Sequence, residues 1–185
     1  MQGAHRQLTK IPAVATSLAA ACSFVQAALV PSYAASDDAI ADAILQAMEV
    51  GCIESRIDIE EARARLKRTF GQLSHELRGS IGFFGGGRYH DIRFVSGGRS
   101  GFIECHISDF VGAPLVVLAR LEIRFAGRIT AIPAVDPACP DDEHKASRSY
   151  ELRAGKDRFF VEACAGRYGT FDSIDLKVKH LPATN

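Results

Sequence analysis

Two stretches decide the fold: Tyr89-His90-Asp91-Ile92-Arg93-Phe94-Val95, and Phe102-Ile103-Glu104-Cys105-His106-Ile107-Ser108. The glycine-rich segment from Ser96 to Gly101 joins them, so they predict an antiparallel hairpin. Setting Val95 opposite Phe102 puts Ile92 against Cys105 and Phe94 against Ile103 on one face. The other face then carries Arg93 against Glu104 and Asp91 against His106. Opposite charges meet on the wet side and apolar residues on the dry side, which favours this register. Cys105 falls in the core layer, where helices would pack.

Upstream the periodicity is helical. Asp37 and Asp38 precede Ile40, Ile44, Ala47 and Met48, and Gly51 marks the expected stop. A second helix is predicted from Ile59, Ala62, Leu66, Phe70, Leu73 and Leu77, which form one apolar stripe ending at Gly79. Asp58 with Glu61 makes a capping box, and Ser55 offers an alternative start one turn earlier. The stripe's opposite face holds Arg63, Arg65, Lys67 and Arg68, diluted by Glu60, Glu61 and Glu76. That mixture describes a solvated face rather than a nucleic-acid contact.

Strands and turns follow. Ile81 to Phe84 runs into Gly85-Gly86-Gly87, a turn between strands; a phosphate-binding loop would need a helix after the glycines. From Leu115 to Phe125, Val117, Ala119, Leu121, Ile123 and Phe125 alternate with Arg120, Glu122 and Arg124, which predicts a half-buried strand. Ala126-Gly127 turns the chain into Arg128 to Ile132. The region from Pro133 to Glu143 holds Cys139 and the acids Asp136, Asp141, Asp142 and Glu143, and lacks the ligand spacing of an EF-hand. Tyr150 to Arg153 and Arg158 to Cys164 flank a hairpin turn at Ala154 to Asp157. After a turn at Arg167-Tyr168-Gly169, Ile174, Leu176 and Val178 alternate with Asp175, Lys177 and Lys179 in a last strand. The expected architecture is α+β, with two N-terminal helices packed on one face of an antiparallel sheet of six or seven strands.

The compartment is read from the start of the chain. Met1 to Ala35 has no acidic residue, opens with His5, Arg6 and Lys10, and is uncharged from Ile11 to Val30. It closes on Pro31-Ser32-Tyr33-Ala34-Ala35, with small residues at Ser32 and Ala34. This is the layout of a secretory signal, expected over residues 1–34 and cleaved, leaving a single α+β domain over 35–185. An uncleaved anchor and a lipoprotein acylated at Cys22 are the alternatives. Loss of Arg6 and Lys10 leaves 20 basic and 22 acidic residues, a net of −2, which exerts no general pull on nucleic acid or anionic lipid. The mature chain then retains Cys52, Cys105, Cys139 and Cys164. An even set without C-x-x-C spacing predicts two disulfides rather than a zinc or redox site. Cys105 on the core face favours Cys52–Cys105, with Cys139–Cys164 as the other.

Catalytic spacings are sparse. His75-Glu76 lacks the second histidine of H-E-x-x-H, and Ser100 lacks the G-x-S-x-G order. His106 with Asp91 and Glu104 is the one acid–base candidate, and an exposed salt-bridge ladder explains the same residues. Neither cofactor nor metal is expected. The leading expectation is therefore a periplasmic or secreted, non-enzymatic binding protein of the cell envelope. Its partner would be a protein, a glycan or a lipid, with no nucleic acid and no stable membrane span in the mature form. A small envelope hydrolase using His106, Asp91 and Glu104 is the alternative. A carrier of an apolar ligand, with Phe83, Phe84, Phe94 and Phe102 near its mouth, is a third.

Overall fold

The structure, a computed structural model, describes residues 36–77, 79–97, 102–133, 139 and 143–181. The signal over 1–34, the tip of the 96–101 turn and the acids Asp136, Asp141 and Asp142 lie outside these residues. In chain order come α1 (Asp37–Met48), a π-helical turn (Glu49–Ile53) and α2 (Ile59–Phe70). Four strands follow: β1 (His75–Leu77), β2 (Ser80–Gly85), β3 (Arg88–Gly97) and β4 (Phe102–Phe110). After α3 (Pro114–Arg124) come β5 (Ile129–Ala131), β6 (Glu143–Ala154), β7 (Asp157–Tyr168) and β8 (Phe171–Leu181). The strands make one antiparallel sheet of eight, ordered β1-β2-β3-β4-β8-β7-β6-β5. The fold is α+β as expected, but with three helices and eight strands among the described residues.

The helices pack on one face of the sheet. Ile81, Ile92, Ile107, Leu176 and Ala163 are successive cross-strand neighbours on β2, β3, β4, β8 and β7, and all are fully buried. Above them lie Ile44, Leu45 and Met48 of α1, Leu66 of α2 and Leu121 of α3, equally buried. Burying one such side chain stabilises by about 1.5–3 kcal/mol relative to exposure, so this layer fixes which face each strand residue takes. Cys52, in the π-helical turn, is bonded to Cys105 on the core face of β4, with Cα atoms 5.7 Å apart. That link closes a separation of 53 residues, which restricts the unfolded chain by about 4 kcal/mol.

Four expectations are corrected. The segment read as a strand over Leu115 to Phe125 is α3. Pro114 starts it, and Val117, Leu118, Leu121 and Phe125 are buried at helical spacing, whereas Ile123 is 74% exposed. Its Leu, Ala, Arg and Glu residues are strong helix formers, and the alternation of charges was incidental to a 3.6-residue period. The second helix stops at Gly71 rather than Gly79, because Gly71 takes φ 81° and donates its N–H to the Lys67 carbonyl. Leu73 is still buried, but Leu77 keeps the helical spacing by coincidence and sits exposed on β1. Gly51 does not end the first helical stretch, since the chain widens into the π-helical turn and runs on to Ile53. Finally, β3 and β4 are shifted by two residues, with Ile92 opposite Ile107, Arg93 opposite His106 and Phe94 opposite Cys105. An even shift keeps every side chain on its expected face and shortens the connecting turn.

Local chemistry holds the helices in place. Ser36 and Asp58 cap α1 and α2, their side chains accepting the N–H of Ala39 at 3.2 Å and of Glu61 at 2.8 Å. The β2–β3 turn meets α1 so closely that a Cβ on Gly86 (φ 55°) would lie 2.5 Å from the Ala39 carbonyl oxygen. Arg120 of α3 reaches Asp38 and Asp42 of α1 at 2.9 and 2.6 Å. Glu49 receives Arg124 and Arg128, both at 2.8 Å. Burial alone would raise the Glu49 carboxyl, but hydrogen bonds from Arg128 and Arg124 and their charges outweigh it and hold it below 4.5. A carboxyl depressed in the folded state stabilises above its unfolded value and loses that contribution as pH falls through the folded one. The stability difference between wild type and Glu49→Gln, followed by thermal unfolding, is therefore expected at neutral pH and to shrink below about pH 4. A difference independent of pH would contradict the role given to this carboxylate.

Candidate functional site

The sheet's other face, distal to the helices, carries the remaining side chains of every strand. One cross-strand row runs Leu77, Ser80, Arg93, His106, Lys177, Glu162 and Ser149, from β1 to β6. A neighbouring pair, Asp175 and Ser108, lies beside Cys164, whose bond to Cys139 (Cα atoms 5.6 Å apart) draws Cys139 to this side. Both disulfides follow the expected pairing.

The three residues of the acid–base candidate do not form one cluster. His106 Nε2 is 2.9 Å from Glu104 Oε2, and Lys179 Nζ is 3.2 Å from Glu104 Oε1. Burial raises the Glu104 carboxyl, but hydrogen bonds from His106 and Lys179, with their charges, bring it below its ordinary value. Lys179 is lowered by burial and raised more by Glu104 and Glu162, so it stays protonated. A carboxylate locked in its ionised form beside a locked ammonium suits a salt-bridge ladder better than proton transfer near neutrality. Asp91 instead accepts the Ser80 hydroxyl at 2.6 Å and lies 3.3 Å from Arg93 and 3.4 Å from His75. The register shift is the cause: Arg93, not Asp91, stands opposite His106.

The β1–β2 and β2–β3 pairings assemble residues that sequence reasoning missed. His75 Nε2 is 3.1 Å from Ser80 Oγ, and His75 Nδ1 is 3.0 Å from the Tyr89 hydroxyl. The ring lies against Gly82, where a Cβ would come within 2.5 Å of Nδ1. Ser, His and Asp meet here, but not in triad order. The serine proton goes to Asp91, so Nε2 is the donor to Ser80 and the ring is not the serine's base.

On the helix side, at one end of β3 and β4, His90 is buried between Asp109 and the Gly85 carbonyl. Its Nδ1 is hydrogen-bonded to Asp109, its Nε2 is 2.9 Å from Gly85 O, and the Phe83 ring stacks on it at 5.2 Å. Arg88 flanks Asp109 at 3.4 Å. A carbonyl only accepts, so Nε2 is the donor to Gly85, and Nδ1 faces the Asp109 carboxylate. Extending the observed β3–β4 register by two residues sets His90 against Asp109, whereas the expected register hid this pair.

The same end presents aromatic rings on the distal face. Phe84, Tyr89, Phe110, Phe171 and Tyr168 come from β2, β3, β4, β8 and β7, and each is 40–63% exposed. Phe84 pairs with Tyr89 and Tyr168 with Phe171 across strands. Ring centroids are 5.8 Å apart for Phe84 and Tyr89, and 5.6 Å apart for Phe110 and Phe171. Two open cavities, of about 830 and 310 Å³, adjoin there and share Phe110 and Tyr168 as walls. The phenylalanines proposed for a ligand mouth do not gather. Phe83 is buried against Phe70, Phe84 is on the opposite face, Phe94 is half-buried under the helices, and the Phe102 side chain lies outside the described residues.

Among the described residues no group of three or more His, Cys, Asp and Glu is placed to hold a metal ion, and no helix is long and apolar enough to cross a membrane. Comparison with protein-family models, curated proteins and solved structures finds no match.

The buried pair and the half-buried one differ measurably. Asp109→Ala strands His90 without its partner and is expected to cost about 3 kcal/mol in urea unfolding. Asp91→Ala, at a solvent-reached site, is expected to cost less than about 1 kcal/mol. Equal losses would contradict the placement of the two carboxylates.

Proposed function

We propose that this chain is a secreted or periplasmic, non-enzymatic binding protein of the cell envelope, working as the single domain 35–185 after its leader is removed. The observation that carries the reading is the run of five exposed aromatic rings across five adjacent strands. Exposed aromatic surface of this kind marks interaction sites, and aromatic residues supply much of the energy at such sites. The stable side of the molecule lies beneath the helices, so the aromatic face can be spent on a partner. Two disulfides suit an oxidising compartment, where a domain of this size gains from covalent links. The salt-bridged state of Glu104 and Lys179 favours binding over acid–base catalysis.

The double variant Phe110→Ser with Phe171→Ser tests the surface directly. Both rings are largely exposed, so unfolding stability is expected to change by less than about 1 kcal/mol. Immobilised wild type is expected to retain an envelope component at micromolar concentration, and the double variant to retain at least about tenfold less. Retention that is equal in both proteins, or absent from both, would overturn the reading.

A further inference from the structure

Resting on the aromatic run as the binding surface, we propose that its occupant is an uncharged, extended polysaccharide chain. Adjacent strands lie about 4.8 Å apart, so a run across five of them extends roughly 19 Å. The cavities beside it are open, which suits a chain laid across the surface rather than a small molecule enclosed in it. Sugar rings present flat faces of C–H bonds and edges of hydroxyls, each able to donate and accept. The first feature packs on aromatic rings, and the second needs fixed donors and acceptors around them.

The cavities at this end of the sheet supply these as ion pairs. Arg88, Arg167 and Asp172 line the larger cavity, and Arg93 and Asp109 the smaller. Arg88 is paired with Asp109, Arg93 with Asp91 and Arg167 with Asp172, at 3.4, 3.3 and 3.5 Å. Cationic and anionic groups side by side largely cancel at a distance, so a polyanion or an anionic bilayer gains little attraction. Pairing also holds each side chain in one geometry, which lowers the entropy cost of hydrogen-bonding to a ligand. A fatty chain would leave these ion pairs facing hydrocarbon and is disfavoured.

The chain has no tryptophan. Of the three tyrosines in 35–185, Tyr89 and Tyr168 belong to the run, so tyrosine emission reports its occupancy. Titration of the oxidised protein uses three probes: β-1,4-linked N-acetylglucosamine hexasaccharide, cellohexaose and maltohexaose. Heparin and phosphatidylcholine vesicles serve as polyanionic and lipid comparators. At least one neutral hexasaccharide is expected to change the emission saturably, with Kd below about 1 mM. Phe110→Ala with Phe171→Ala is expected to weaken that binding at least tenfold while leaving the circular dichroism unchanged. No response to the three sugars, a response only to heparin or vesicles, or sugar binding indifferent to the double variant would each overturn the inference. If the sugars fail while envelope capture still depends on Phe110 and Phe171, the binding-protein reading stands and the polysaccharide is wrong.

Discussion

Everything in this fold is arranged around one row of cross-strand packing. Ile81, Ile92, Ile107, Leu176 and Ala163 bury completely beneath the helices, and each has a fixed neighbour on the next strand. Because strand side chains alternate, a slip by one residue would exchange the two faces and put the charges of His106, Lys177 and Glu162 into the core. A slip by two keeps the faces but changes which residues meet. The covalent link from Cys52 to Cys105 strengthens the same layer, tying the helical joint to the middle of the sheet.

The register chosen by that row has consequences at both ends of the site. On the helix side it brings His90 to Asp109, a buried polar pair that stays soluble in the core only because every partner is present. On the distal side it separates Asp91 from His106 and joins it to Ser80 and His75. It also brings exposed rings from five adjacent strands to the same end of the distal face. Packing beneath the helices thus determines the chemistry offered on the face away from them.

The fold was legible in the sequence where one period dominated. The alternation in β3, β4 and β8 showed which residues face the core, and that was enough to pair Cys52 with Cys105. It failed where two periods fitted the same residues. Leu115 to Phe125 carries apolar side chains at spacing two and at spacing three to four, and Pro114 with strong helix formers settles it as α3. Leu73 and Leu77 continue the stripe of α2 past a glycine that takes a left-handed conformation, so the helix ends while the pattern does not. Of the site, His106 and Glu104 were found because they lie on one strand two residues apart. The rings of Phe84, Tyr89, Phe110, Phe171 and Tyr168 were hidden, since their grouping depends on strand order and on a two-residue shift that face-by-face polarity does not resolve.

Backbone nuclear Overhauser contacts between β3 and β4 in the oxidised protein test the central claim most directly. Contacts that set Arg93 opposite His106 and Phe94 opposite Cys105 are predicted. Contacts that set Arg93 opposite Glu104 and Ile92 opposite Cys105 would contradict the account, because they would move Phe110 away from Tyr89 and break the aromatic band.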